Sequence, residues 1–216
     1  MKLMASMLRK ESSARRKKHP TFERLVLSTI ELMKEFLVEE ISTDMVLQHS
    51  GVSRGSLYHH FEDLADLLET AMVRVFAETV DRNIELIRAL IDKAADAADF
   101  YRATEQFNHV TQDPARRDIR FERFRLIGFA CKNPRMAGKL AIEQARLTET
   151  YADLFREAQA KGLMSDDFDP RAAAVLIQAY TLGRAVDDMV ADPVDPDAWN
   201  SLIMKVVTRV FGASVN

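Results

Sequence analysis

Apolar residues recur at intervals of three and four along most of the chain. Leu64, Leu67, Leu68, Ala71, Met72, Val75 and Phe76 make one such stripe, Val175, Ala179, Leu182, Val186 and Met189 a second, and Leu202, Ile203, Val206, Val207 and Val210 a third. That spacing puts each set on one side of a 3.6-residue helix. No sustained alternation of apolar and polar positions marks a strand, and no Asn-Gly or Asp-Gly pair offers a two-residue hairpin. Between Gly55 and Pro114 there is neither glycine nor proline, so this stretch is expected to be helical almost throughout. Asp113-Pro114, Asn133-Pro134, Asp169-Pro170, Asp192-Pro193 and Asp195-Pro196 join a capping side chain to a residue that loses nothing in a first helical turn, and most of them predict helix starts. Lys161-Gly162-Leu163 has the form of a helix stop. The chain is therefore expected to be all-α, with about nine or ten helices. They include one from Pro20 to Glu40, one from Asp63 to about Val80, one from Pro170 to about Val190 and one from Pro196 to Phe211.

The stretch from Ser42 to Phe61 carries a more specific pattern. Ser42 is placed to cap a short helix that ends near Ser50, Gly51 permits a tight turn, Val52 plugs the junction and Ser53 is placed to cap the next helix. At 100° per residue Leu57 and Phe61 share the inner side of that second helix, while Gly55, Ser56, Tyr58 and His59 point outward, with Arg54 and His60 at the margins. A slim, polar and basic outer face of this kind suits entry into the DNA major groove. Arginine can read guanine, serine and histidine can touch bases, and a tyrosine hydroxyl can reach a phosphate.

Residues from about 22 to 68, and above all Gly51-Val52-Ser53-Arg54-Gly55-Ser56-Leu57-Tyr58-His59-His60-Phe61, resemble the N-terminal DNA-binding domain of the tetracycline-repressor (TetR) family. The resemblance implies three parts: a basic arm over residues 1–19, a three-helix helix-turn-helix domain over 20–68, and a C-terminal helical bundle over 69–216 that dimerises and binds an effector. It also implies that Ser42, Arg54, Ser56, Tyr58, His59 and His60 meet a double-stranded operator, with Thr43 and Ser53 beside them. Two positions depart from the family pattern. Leu47 stands where alanine is common at the crossing of the two helices. Leu64 stands where a lysine commonly joins a helix N-terminus in holding a phosphate.

Charge bears on that second departure. The net charge of the 216 residues is −3, yet residues 1–20 hold seven basic residues against one acidic, leaving −9 on the remainder. Arg15, Arg16, Lys17 and Lys18, just before the first helix, can follow a phosphate backbone in place of the missing lysine.

The rest of the chain says less about chemistry. Phe100, Tyr101, Phe107, Phe121, Phe124, Phe129, Tyr151 and Phe155 are expected to be mostly core. By resemblance, some line a partly apolar effector cavity, for which Phe107, His109, Phe124, Phe129 and Tyr151 are the candidates. Ala172, Ala173, Ala174, Ala179, Gly183 and Ala185 allow close helix approach, so the helices at about 170–190 and 196–211 are expected to form a homodimer interface.

The single cysteine, Cys131, excludes an internal disulfide and is expected to be a small buried side chain. No catalytic motif, phosphate-binding loop, metal-ligand spacing, cofactor signature, membrane-length apolar run or secretory signal is present, and a cytoplasmic setting is expected. Three readings remain: a regulator released from its operator by an effector, an architectural DNA-binding protein without an effector, and a helical small-molecule binder without DNA. A thermal-shift ligand screen separates the first two.

Overall fold

The structure is a computed structural model and describes residues 19–212. Among them are nine α-helices: α1 (Pro20–Glu35), α2 (Thr43–Ser50), α3 (Arg54–His60), α4 (Leu64–Lys93), α5 (Ala97–Gln112), α6 (Arg117–Lys132), α7 (Pro134–Ala160), α8 (Pro170–Gly183) and α9 (Pro196–Phe211). Three short 3-10 turns, Val38–Glu40, Pro114–Arg116 and Arg184–Val186, complete the regular structure. The described residues contain no strand, only an isolated antiparallel bridge between Met164 and Gly212. None of their helices is long and apolar enough to cross a membrane.

Two compact units divide between Val75 and Phe76. That is about two turns further along α4 than residues 68 and 69, where the sequence suggested a boundary. In the first unit α1, α2, α3 and the opening turns of α4 enclose Leu25, Val26, Ile30, Leu32, Ile41, Val46, Val52, Leu57, Phe61, Leu67 and Ala71. In the second, α7 packs on α6 and α8, and α5 packs on α9.

Several helix ends follow from the capping residues. The side chains of Asn133, Asp169 and Asp195 accept from the backbone N–H three residues on, at 3.0, 2.7 and 2.9 Å, and Asp113 caps the 3-10 turn at 2.7 Å. Asp192-Pro193 begins no helix. Gly162 takes φ +69° and the N–H of Leu163 returns to the Ala158 carbonyl at 2.9 Å, closing α7 as the sequence implied.

Three lengths differ from expectation. Helix α1 stops at Glu35 because Phe36 turns extended and Glu40 accepts from the Leu37 N–H at 2.9 Å, which winds a separate turn. Helix α4 runs on to Lys93 because Val80, Ile84, Ile87 and Ile91 continue its buried stripe. Helix α8 gives way to a 3-10 turn after Gly183, where Arg184 and Ala185 turn inward.

Cys131 is exposed, not buried. The inward side of α6 is set by Arg120, Leu126 and Ala130, and the next residue after Ala130 lies 100° round the helix.

Candidate nucleic-acid interface and helical core site

The helix-turn-helix forms as its residues require. Ser42 Oγ accepts from the Met45 N–H at 3.3 Å and starts α2; Gly51, at φ +63° and ψ +21°, ends it, with its N–H on the Leu47 carbonyl at 3.0 Å. Val52 is buried, and Ser53 Oγ accepts from the Ser56 N–H at 3.2 Å to start α3. Leu57 and Phe61 lie in the core, which leaves Arg54, Gly55, Tyr58 and His59 exposed and Ser56 half-buried. Tyr58 keeps 47% of its surface.

Two neighbours modify this face. Arg54 pairs with Asp44 on α2, both largely exposed, and such surface pairs are weak enough to be exchanged for another acceptor. His60 is half-buried, its ring 5.1 Å from His59, 5.3 Å from His19 and 6.2 Å from Phe22. Burial, then the charges of His59 and His19, hold the His60 imidazole below its usual 6.5. Its ring packs among those of His59, His19 and Phe22.

Leu47 and Leu64 are partly buried against the core of this unit, so both departures from the family pattern serve packing. Arg15, Arg16, Lys17 and Lys18 lie outside the described residues. Thr43 is half-buried in the first turn of α2.

In the second unit the five candidate effector contacts lie on three helices. Tyr151 is buried on α7, Phe107 is half-buried on α5, and Phe124 and Phe129 are exposed on α6. His109 is exposed and lines an open groove between α5 and α9 with Glu105, Ser201, Met204 and Lys205. A second groove lies between α7 and α8, where Gln144 and Thr148 meet Ala172 and Val175.

Around Tyr151 the core is unexpectedly polar. Gln178 Oε1 accepts from Gln144 at 2.5 Å and from Arg123 at 3.3 Å, while Gln178 Nε2 donates to Thr148 at 3.2 Å. The Arg123 guanidinium lies 5.5 Å from the Phe76 ring centre, and its Nε is buried without a protein acceptor. Burial pulls Arg123 below its ordinary value and pushes the Tyr151 phenol up. Nearby Tyr180 is pushed up to about 12, chiefly by burial, and donates to Asn108 Oδ1 at 3.0 Å. Asn108 in turn donates to Asn200 at 2.9 Å, and Asn200 meets His109 Nδ1 at 3.0 Å.

Sequence reasoning missed these networks. Their one signal was polar residues interrupting an apolar face at helical spacing, as Thr104, Asn108 and Gln112 do after Phe100.

The C-terminal residues 113–212 match the family model of the BetI-type transcriptional repressor C-terminal domain. The chain's fold is shared with several solved structures. A protein from Mesorhizobium loti described as a TetR-family transcriptional regulator superposes with a TM-score of 0.64 at 16% identity, over 89% of this chain and 96% of that one. Escherichia coli NemR in its reduced form gives 0.60 at 15% identity over 90% and 100%. Salmonella enterica GusR gives 0.56 at 21% over 88% and 95%. No curated protein sequence matches the chain.

Proposed function

We propose that the chain is a transcriptional regulator of the TetR family, as its C-terminal match and its fold support, and that it is a cytoplasmic, dimeric repressor whose operator complex is dissolved by a small, partly apolar effector. The observation that carries the DNA-binding half is the split of α3 into an inner side of Leu57 and an outer side of Arg54, Tyr58 and His59. In this reading Arg54 leaves Asp44 for a base edge or phosphate, Tyr58 donates to a phosphate, and Ser56 and His59 touch bases. Ser42, Thr43 and Ser53, at the starts of α2 and α3, serve the backbone, and His60 holds His59 in place. Arg15, Arg16, Lys17 and Lys18 add a sequence-independent grip in place of the charge that Leu64 lacks.

Two features support a dimer. Val175, Leu176, Val186 and Met189 are exposed on α8 and the turn after it, and Leu202, Val206 and Val210 are exposed on α9, while Ile203 and Val207 of the same helix face inward. An apolar face left open in one chain is the kind of surface a second copy covers. Two α3 helices then enter major grooves about one helical turn apart.

In this reading the effector binds beside Tyr151, with Arg123, Gln178 and Tyr180 offering polar contacts. It releases DNA by binding more tightly to a dimer whose α3 spacing no longer fits the operator.

The test takes a site found by genome-wide footprinting and titrates it by fluorescence anisotropy. Changing Tyr58→Ala and His59→Ala together is expected to weaken binding by about tenfold or more. Both side chains are exposed, so the melting temperature should not move. Undiminished affinity in the folded double variant refutes the assignment of α3.

A further inference from the structure

A second polar cluster in the C-terminal unit lies apart from the Tyr151 region and consists of Gln112 at the end of α5, Arg120 on α6, Arg184 and Asp188 after α8, and Trp199 on α9. The Arg120 guanidinium is satisfied in full. Its Nε and Nη2 donate to the two Asp188 oxygens at 2.5 and 2.9 Å, and its Nη1 and Nη2 reach the Thr111 and Asp113 carbonyls at 3.3–3.4 Å. Both partners of that ion pair keep only 5% of their side-chain surface.

Arg184 is deeper, at 2%, and is not satisfied. Its Nε stands 3.9 Å from Asp188 Oδ1, beyond hydrogen-bond reach, and its guanidinium carbon lies 5.2 Å from the centre of the Trp199 ring. Its Nε and Nη1 are buried and meet no protein acceptor.

Gln112, at 0% exposure, touches the edge of the same indole. Trp199 Nε1 donates to Gln112 Oε1 at 3.1 Å, and because an indole N–H can only donate, the amide orientation is fixed with its Nε2 directed elsewhere. That Nε2 is also buried without an acceptor.

Three buried orphan groups on two side chains that flank one tryptophan are thus all donors. Two guanidiniums share one carboxylate, which leaves a buried positive charge in excess. Leaving a buried cation unpaired is among the costlier arrangements a fold can hold. A water can accept two of the protons, but it leaves the charge standing.

We propose that this cluster is an anion site, in which a small carboxylate, oxyanion or halide accepts from Arg184 Nη1 and from Gln112 Nε2 beside the Trp199 ring. The anion neutralises the second guanidinium and ties the turn after α8 to α5 and α9. That turn also carries exposed Val186 and Met189, so the site borders the apolar face described above.

The experiment is thermal unfolding of the full chain in sodium acetate, chloride, sulfate or phosphate, at constant ionic strength with a bulky sulfonate salt as balancing electrolyte. At least one of the four is expected to raise the melting temperature along a saturating curve, by about 5–10 °C at a hundredfold excess over its Kd. Acetate, the tetrahedral oxyanions and chloride distinguish the three chemistries. Arg184→Met and Gln112→Leu should each remove the saturable part, and if the first does not fold, the second decides alone. The proposal is overturned if no anion gives saturation in the parent, as a resident water would predict, or if the folded variants keep the parent's response.

Discussion

His60 shows how much a single residue's environment changes its reading. By helix arithmetic it stood at the margin of an outward face, yet its ring meets His19, His59 and Phe22. Residue 19 is forty-one positions away in sequence, and nothing in a local pattern announces that contact. The consequence is titratable. Burial, His59 and His19 lower the His60 pKa from 6.5, so as pH falls the unfolded chain takes up this proton first. The stability contributed by neutral His60 is complete above pH 6.5 and is lost as pH falls through its folded value. The melting temperature should therefore drop more between pH 7.5 and 5.5 in the parent than in His60→Gln, measured in one buffer series; parallel curves would show that His60 does not titrate this way. Tyr58 and His59, by contrast, were legible, because Leu57 anchors the helix and 100° steps do the rest. The pairing of Arg54 with Asp44 was not, since it joins two helices.

At the scale of elements, the starts of helices were easier to read than their ends. An Asx side chain followed by proline defines a start locally, and at Asn133, Asp169 and Asp195 the hydrogen bond is made. An end depends on what the next residues find to bury or bond, as at Glu35 and Gly183. Gly51, like Gly162, is an exception, an end set by a left-handed glycine. At φ +63° it is left-handed, and a Cβ added there would meet nothing within 4 Å. Gly51→Ala should thus lower stability by about 1–2 kcal/mol through conformational strain without a clash. Urea unfolding would show a lower midpoint at unchanged slope. No loss of stability would mean that the turn relaxes to another conformation.

For the whole molecule, the stripe of Val175, Ala179, Val186 and Met189 illustrates the limit of periodicity. It marked an apolar face, and these four residues of it are exposed while Leu182 between them is half-buried. Spacing reports which residues lie together and not what covers them. Leu202→Glu with Val206→Glu should leave each chain folded, because both side chains are exposed at 55% and 43%, and should shift sedimentation from dimer to monomer. Operator affinity should fall with it, as each half-site is then bound alone. A dimer of unchanged strength would place the interface elsewhere.

Cys131 gives this question a direct readout. As the sole thiol of the sequence, and on the surface of α6, it accepts one maleimide dye or nitroxide label per chain with no residue replaced. Two labelled copies joined as a pair carry one interspin vector, whose length with and without operator reports any rearrangement as a distance distribution.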